Sequence, residues 1–189
     1  LNKLESKGFE VYGHQMDIMD KNNVNHVINN VINKYKHIDC LINSAAFALK
    51  QSQKKGTSFF ESFENYNLSN WKESIDINLT GTFLVTQIIG LAMKEQKNGS
   101  IINIASDVAI ISPDHRIYKS DNSIGYDGVE FNTPAAYSVS KAGILALTRY
   151  LATYWAEDGV RVNSISPSGV YRKVFDPKFV EVLSSRIPL

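Results

Sequence analysis

Residues 99–106, Gly99-Ser100-Ile101-Ile102-Asn103-Ile104-Ala105-Ser106, give the clearest strand signal in the chain. A short, nearly continuous apolar run of this kind predicts a strand that is buried inside a sheet. A helical pattern from about Leu68 to Lys94 precedes the run, and a second one, from about Pro134 to Glu157, follows it. Strands that alternate with long helices predict right-handed crossovers and a parallel α/β sheet with helices on both faces.

Three further predicted strands extend this alternation toward both ends of the chain. Phe9 to Met16 is predicted to form a strand that ends at Asp17, Ile38 to Ile42 a short strand covered on both sides, and Val160 to Ser166 the last strand. Between the first two of these strands, apolar residues recur with helical spacing and predict a helix with one apolar face. They are Val24, Val27, Ile28, Val31 and Ile32.

The strand exits are the places to look for a binding site, because ligands of such sheets bind beyond the carboxyl ends of the strands. The predicted exits are Asp17, Asn43 to Ala46, Ser106, and Pro167 to Val170.

The strongest chemical signal is Tyr137-Ser138-Val139-Ser140-Lys141. Residues four apart lie on one helix face, so the phenol and the ammonium can share a site. A free phenol ionises near pH 10, and a cation about 5 Å away favours the phenolate form. Tyr137 would then exchange a proton with a substrate oxygen. An ordinary Tyr–Lys pair on a solvated helix face is the alternative interpretation.

Together with the segments around it, this motif resembles the corresponding motif of the short-chain dehydrogenase/reductase family. Five segments resemble family motifs and follow one another in the family's order. They are Asn43-Ser44-Ala45-Ala46, Asp76-Ile77-Asn78-Leu79-Thr80-Gly81, Gly99 to Ser106, Tyr137 to Gly143, and Gly159 to Gly169. The resemblance implies a Rossmann-like, doubly wound parallel sheet. It also implies an enzyme that moves a hydride between NAD or NADP and a small secondary alcohol or ketone, with sugar derivatives among the expected substrates.

The resemblance assigns catalytic roles to four side chains. Ser106 would hydrogen-bond the substrate oxygen, and Tyr137 would act as acid and base. Lys141 would favour the phenolate and bond the ribose hydroxyls of the nicotinamide end. Asn78 would hold a water that links Lys141 to solvent. Two structural alternatives stay open, namely that Ser106 caps the next element and that Asn78 is a buried amide satisfying helix backbone.

Cofactor contacts follow from the same resemblance. Asp17, together with Ile18, would contact the adenine, although Asp17 has a turn cap as its alternative role. Asn43 and Ala45 would line the adenosine ribose. The loop after the last strand would contact the nicotinamide carboxamide. Its assigned residues are Pro167, Gly169 and Val170.

The family's glycine-rich phosphate turn, T-G-x-x-x-G-x-G, does not occur in the sequence. Leu1 to Lys7 is predicted to be the end of a helix already under way. We therefore expect one incomplete domain, 1–189, truncated at both ends, without the family's first two strands and their helix and without the C-terminal end. Such a chain is expected to be inactive, because those glycines let backbone amides hold the pyrophosphate. The residue that separates NAD from NADP would lie in the missing part, so this choice stays open.

A long polar and aromatic stretch, Pro113 to Thr133, separates Ser106 from Tyr137. Family members commonly have a much shorter connection there. The stretch suits a hydroxyl-rich ligand, and it is similar to one in members linked to bacterial surface-carbohydrate or flagellin-glycan modification. The alternative is that this stretch is a surface loop without a function.

Two other functions remain open. One is a nucleotide-sugar epimerase or dehydratase of the extended relatives, which also use Tyr-x-x-x-Lys; the Asn43 turn, the Asn78 segment and the loop after the last strand argue against it. The other is a non-catalytic binding module that kept the fold. A pure scaffold has no need of all four catalytic side chains, which argues against that function.

The composition argues against several classes of protein. The net charge is +1 and the basic residues are scattered, so we expect neither a nucleic-acid surface nor a polybasic membrane anchor. We expect no membrane span and no signal peptide, and therefore a cytoplasmic protein. The four histidines lack metal-ligand spacing, so no metal site is expected.

Two expectations concern cysteine chemistry and assembly. The only cysteine, Cys40, is expected to be a buried strand thiol, which excludes a disulfide framework. The helices near Thr80–Lys94 and Ala142–Glu157 carry more large apolar groups than one sheet face can cover. They predict a homodimer or homotetramer.

Overall fold

The computed structural model describes residues 2–47, 60–118, 132–170 and 177–186. Its centre is a parallel sheet in which β1 (Cys40–Asn43), β2 (Gly99–Ile104) and β3 (Val160–Ile165) follow one another in that order. The predicted parallel α/β arrangement is confirmed. All three strands end at the same edge because they are parallel.

Six α-helices accompany the sheet in the described part of the chain. They are α1 (Asn2–Glu5), α2 (Lys21–Tyr35), α3 (Leu68–Ile75), α4 (Thr82–Gln96), α5 (Ala135–Tyr154) and α6 (Pro177–Ser184). A π-helical segment, Asp76–Gly81, joins α3 to α4, so that one helical rod carries the predicted Leu68–Lys94 pattern. Short 3₁₀ turns lie at Phe63–Asn65, Asp107–Ala109, His115–Tyr118 and Ala156–Asp158.

The start and end of α2 are determined by local chemistry. The Asp20 carboxylate caps the helix by accepting hydrogen bonds from the backbone N–H groups of Asn22 and Asn23. The helix ends at Tyr35, and the capping residue Lys36 has a left-handed φ of 70°. Val24 and Ile28 lie one helical turn apart and are both buried, so the predicted apolar face is confirmed.

One face of the sheet forms the core with α2, α4 and α5. The buried core residues from these elements are Val24, Ile28, Leu41, Val85, Ile89, Met93, Ile101, Leu151, Trp155, Val160 and Val162. Both crossovers, β1 to β2 through α4 and β2 to β3 through α5, run in the same direction across the sheet. Right-handed crossovers of one direction place their helices on one face.

The opposite sheet face is open in the described residues, which corrects one prediction. Ile42 and Ile165 are 59% and 53% exposed there. Cys40, expected to be buried, is also exposed. Side chains alternate along a strand, so Leu41 points into the core while its neighbours Cys40 and Ile42 point to the open face.

The predicted strand at Phe9 to Met16 is wrong, because these residues form no regular element. A strand exists only through hydrogen bonds to a neighbouring strand, and the described sheet contains only β1, β2 and β3. The residue pattern indicates which side chains suit a sheet, but it does not show whether a neighbouring strand is present.

The rod from Leu68 to Gln96 is long and apolar enough to cross a membrane by length and composition, with a mean hydropathy of 1.4 over its most apolar window. Val85, Ile89 and Met93 of this rod belong to the core described above. Packing against the sheet accounts for its apolar composition.

Candidate active site

Lys141 is the most informative side chain at the carboxyl edge of the sheet. It lies on α5, is only 5% exposed, and its Nζ donates a 2.7 Å hydrogen bond to the carbonyl of Ile104 at the end of β2. The same Nζ lies 5.8 Å from the centre of the Tyr137 ring. Helix α5 therefore presents both residues at one place, as their four-residue spacing predicts. Burial lowers the pKa of Lys141 from its ordinary value.

The hydroxyl of Ser140 holds the first turn of α5. Ser140 is fully buried, and its hydroxyl donates a 2.8 Å bond to the backbone carbonyl of Tyr137. Ala136 and Ile144 are buried on the same helix, whereas Tyr137 is only partly covered. Packing thus fixes the helix and leaves the phenol accessible to a ligand.

The buried ammonium of Lys141 predicts a dependence of stability on pH. Because its folded pKa lies below 10.5, the unfolded chain binds the proton more tightly, and this group's contribution becomes more favourable as pH rises from the folded pKa toward 10.5. We expect the free energy of unfolding of the wild type, relative to Lys141→Met, to rise across that interval and to stay flat below it. Urea unfolding of both proteins at several pH values measures this difference. A difference that falls with pH would contradict the burial of the charge.

Asn78 lies in the π-helical segment and is 1% exposed. Its Oδ1 accepts a 2.7 Å bond from the backbone N–H of Phe47, and its Nδ2 donates a 3.2 Å bond to Ser140 Oγ. Its backbone carbonyl accepts from the hydroxyl of Thr82 at 2.8 Å. The amide therefore ties the segment after β1 to α5. The water assigned to Asn78 by resemblance stays a prediction.

Ser106 follows β2 and is 7% exposed. It stands at the start of the 3₁₀ turn Asp107–Ala109, but its side chain makes no capping hydrogen bond to that turn. Instead, its hydroxyl donates a 2.9 Å bond to Asp107 Oδ1. This turn packs against α5, so Ser106, Tyr137 and Lys141 lie on adjoining elements. A common contact of the Ser106 and Tyr137 hydroxyls with one substrate oxygen stays a prediction.

Asp17 and Ile18 lie in a turn before α2, not at a strand exit. The Asp17 carboxylate accepts a 2.9 Å bond from the backbone N–H of Met19, so it acts as the turn cap that was its alternative role. The Ile18 side chain packs against Gly81, where an added Cβ would lie 2.7 Å from Ile18 Cδ1. Both residues remain candidates for adenine contacts, with Asp17 exposed.

Asn43 is part of a buried polar ladder that the sequence motifs did not reveal. Its Nδ2 donates 2.8 Å bonds to Asn103 Oδ1 and Thr86 Oγ1. Asn103, which is fully buried, donates in turn to Thr148 Oγ1 at 2.9 Å. The ladder connects β1 and β2 to α4 and α5. Its signal in the sequence is an Asn in the middle of the apolar strand Gly99–Ile104.

The loop after β3 lies beside the turn that follows Ser106. The backbone N–H of Asp107 donates a 3.1 Å bond to the carbonyl of Pro167. Gly169 approaches α6 so closely that an added Cβ would lie 2.6 Å from Leu183 Cδ2. Val170 is 66% exposed, and so is available to a ligand. Ala45, on the segment after β1, is also exposed at this edge.

The long stretch Pro113 to Thr133 is only partly described, because residues 119–131 lie outside the described ranges. In its described part, the Asp114 carboxylate accepts bonds from Arg116 and from Arg186, which follows α6. These bonds, chiefly that from Arg116, lower the pKa of Asp114 to about 2. Within the described ranges, no group of three or more His, Cys, Asp or Glu side chains could hold a metal ion.

Two family models match the chain. One, described as short chain dehydrogenase, matches residues 1–118, and the other, described as Enoyl-(Acyl carrier protein) reductase, matches residues 122–184.

Individual proteins that are similar to the chain are also named as dehydrogenases. The NAD-dependent glycerol dehydrogenase of Listeria innocua is 33% identical over 154 residues, or 82% of this chain and 50% of the relative. The D-threitol dehydrogenase of Mycolicibacterium smegmatis is 31% identical over 180 residues, or 93% of this chain and 58% of the relative. The chain thus spans about half the length of the curated relatives it matches. A solved short chain dehydrogenase from Leptospira borgpetersenii with bound NAD⁺ matches with a TM-score of 0.75 and 31% identity, over 93% of this chain and 60% of that one. The Rossmann-like fold is thereby confirmed.

Proposed function

This chain belongs to the short-chain dehydrogenase family, and on that basis we propose that the protein moves a hydride between NAD or NADP and a secondary alcohol or its ketone. The observation that carries this proposal is the placement of Lys141. Its buried ammonium lies between the end of β2 and the ring of Tyr137, beside the turn that follows Ser106. This is an arrangement for proton exchange at a substrate oxygen.

The residues at the sheet edge suit the two ends of a nicotinamide dinucleotide. The Lys141 ammonium has three N–H groups and donates one to the Ile104 carbonyl, so it can also donate to ribose hydroxyls. The exposed loop residues Ala45, Gly169 and Val170 leave the edge open to a flat ring. The pyrophosphate is the exception, because the sequence has no glycine-rich turn to hold it.

The mechanism assigns one task to each side chain. Bound NAD or NADP supplies the ring that accepts or donates a hydride. Tyr137 removes the proton from the substrate hydroxyl during oxidation and returns it during reduction. Lys141 supplies a positive charge beside the Tyr137 ring. Ser106 holds the substrate beside Tyr137, and Asn78 fixes the start of α5 through Ser140.

For the substrate we propose a polyol, or a sugar derivative of similar chemistry. The names of two relatives, glycerol dehydrogenase and D-threitol dehydrogenase, support this class. Both alcohols are small and carry several hydroxyl groups. We also place the protein in the cytoplasm, a reducing compartment that agrees with a free, exposed Cys40.

Cofactor binding tests the proposal. We compare the 189-residue chain with the extended chain, defined as the same chain preceded by the family's first two strands, their helix and the glycine-rich phosphate turn. Titration with NADH and NADPH is followed by fluorescence, and glycerol oxidation by the NADH or NADPH formed. We expect micromolar binding and turnover only in the extended chain, because charge-assisted hydrogen bonds to phosphate are each worth about 1.5–3 kcal/mol. No binding by the extended chain would sink the proposal, and micromolar binding by the shorter one would refute the need for the turn.

We further propose that the protein assembles with a second copy through α4 and α5. The large side chains on the outer faces of these helices are exposed: Phe83 43%, Leu91 56%, Tyr150 62% and Tyr154 60%. The two tyrosines stack with ring centres 5.6 Å apart and line, together with residues of α2 and α4, a groove of about 780 Å³. An apolar patch of this kind marks an interaction surface.

Sedimentation measures this assembly. We expect the extended chain to be a dimer or tetramer at micromolar concentration and Tyr154→Glu to shift it to monomer. Phe63→Glu is the matched control, since Phe63 is 77% exposed but lies on another element. A wild-type monomer would rule out this interface, and equal effects of both substitutions would show that its location is wrong.

A further inference from the structure

Asp114 connects two parts of the chain that are 72 residues apart. Its Oδ2 accepts a hydrogen bond from Nη1 of Arg186, the second residue after α6. Arg116 donates to both oxygens of the same carboxylate, at 2.8 Å to Oδ1 and 3.0 Å to Oδ2. This local pair fixes the carboxylate, which is therefore already in place for Arg186.

Helix α6 packs against the loop that follows β3. An added Cβ at Gly169 would lie 2.6 Å from Leu183 Cδ2, so the loop and the helix are in close contact. The helix also packs against the 3₁₀ turn His115–Tyr118, in which Ile117 is buried. Helix α6 therefore touches both the loop after β3 and the turn that Asp114 precedes.

These contacts form a closed path at the carboxyl edge of the sheet. The backbone N–H of Asp107 donates a 3.1 Å bond to the carbonyl of Pro167, where the loop after β3 begins. From this loop the path continues through Leu183 and Arg186 to Asp114. A short stretch of the chain itself then leads from Asp114 back to Asp107. The ion pair between Asp114 and Arg186 closes the path.

The ion pair is suited to biasing a position and not to holding the fold together. The bond from Arg116, above all, lowers the pKa of Asp114 to about 2, so the carboxylate is ionised throughout the neutral and mildly acidic range. The side chains of Asp114 and Arg186 are 31% and 39% exposed. Such exposed pairs contribute little to global stability, yet they can favour one arrangement of a short helix over others.

From these contacts we infer that Asp114 is a positioning residue, which acts through Arg186 and α6 to keep residues 167–170 where a dinucleotide that enters the cleft meets them. The inference rests on the proposed function, in which Gly169 and Val170 border the place of the nicotinamide ring. Without the pair, fewer free molecules hold the loop in the competent position, and the apparent affinity for the cofactor falls in proportion. Bound cofactor restores the loop, so the rate at saturation changes little.

Two substitutions that keep the size of the side chain break the pair in the extended chain. We expect Asp114→Asn and Arg186→Gln each to raise the Kd of NADH or NADPH about fivefold, the most that an exposed ion pair provides. The KM of the oxidised cofactor should rise equally, whereas kcat for glycerol and the Tm should stay near the wild-type values. The double variant should bind no more weakly than either single variant, because both remove the same interaction.

The charge dependence of the effect identifies the pair as its cause. Arg186→Lys keeps the positive charge, so it should recover most of the affinity that Arg186→Gln loses. In about 1 M NaCl the affinities of the wild type and Asp114→Asn should converge, because salt screens exposed charges. Comparing the two proteins at each salt concentration removes the effect of salt on the charged cofactor itself.

Asp158 offers a matched control, since its carboxylate binds two lysines as that of Asp114 binds two arginines. Its partners are Lys94 and Lys97, and it lies immediately before β3, at the opposite edge of the sheet. Asp158→Asn should leave the affinity for the cofactor within about twofold of the wild type, as at other surface positions. Hydrogen exchange of the α6 amides gives a readout without chemistry: Asp114→Asn should accelerate it, and Asp158→Asn should not.

The outcomes separate the inference from the proposed function. Equal cofactor affinities of the wild type and Asp114→Asn would overturn the inference while leaving the dehydrogenase intact. A parallel loss of kcat, affinity and Tm would show a merely structural role and overturn it as well, and so would single effects that add in the double variant. Cofactor binding that weakens in Asp114→Asn, in a protein that does not oxidise glycerol, would support the inference and refute the proposed function.

Discussion

Tyr137→Phe is expected to slow hydride transfer in the extended chain about a thousandfold, the effect typical of losing a positioned acid–base group. The substitution removes only the phenolic oxygen. The ring that lies 5.8 Å from Lys141 Nζ stays in place, so the fold and the affinity for NADH should change little. Single-turnover oxidation of glycerol, followed by the absorbance of the reduced cofactor, measures the rate.

Tyr150→Phe is the matched control for this experiment. Tyr150 lies on the same helix but is 62% exposed, on the face proposed for assembly. We expect its rate to remain within about twofold of the wild type, as for a surface position away from the chemistry. A Tyr137→Phe protein that keeps more than about a tenth of the wild-type rate would show that another group moves the proton.

Gly90→Ala is expected to destabilise the fold by about 2 kcal/mol, although alanine is by itself the better helix former by about 1 kcal/mol. Gly90 lies on α4 where the helix touches the ring of Trp155, and an added Cβ would overlap that ring. Trp155 is 7% exposed and packed into the core, so it cannot move aside. Urea unfolding measures the loss.

Two further variants test whether the overlap with the Trp155 ring causes the loss of stability. At Gly143→Ala the new Cβ meets only the flexible end of Leu79, at 2.8 Å, so stability should change little or rise. Trp155→Phe shortens the colliding ring, so the double variant Gly90→Ala/Trp155→Phe should be more stable than the sum of the single effects predicts. Strict additivity would show that the two residues do not compete for the same space.

The sequence was sufficient to predict features that depend on local spacing. Tyr137 and Lys141 are one helical turn apart, and the structure places both at the end of β2. The helices around Ile28 and Leu151 were predicted because their apolar residues recur every three or four positions, which requires no knowledge of the partner surface. The strand Gly99–Ile104 was predicted from a continuous apolar run.

Features that depend on distant partners were not predictable in this way. Phe9 to Met16 has the composition of a strand, but a strand also needs a neighbour, and no local pattern contains one. Cys40 and Ile42 belong to a predicted strand, yet their exposure depends on which sheet face the helices cover. The only indication in the sequence of the bond between Asp107 and Ser106 is that a carboxyl group follows the serine. The Asn43–Asn103 ladder joins residues from different strands.

Transfer of a label from substrate to cofactor tests the central claim most directly. Glycerol carrying deuterium on its secondary carbon is incubated with the extended chain and NAD⁺ or NADP⁺, and the products are examined by mass spectrometry and NMR. A dehydrogenase that works through Tyr137 leaves the deuterium on the nicotinamide ring of the reduced cofactor, with a ketone as the other product. Deuterium that appears in water, or that stays in the alcohol, would contradict the account.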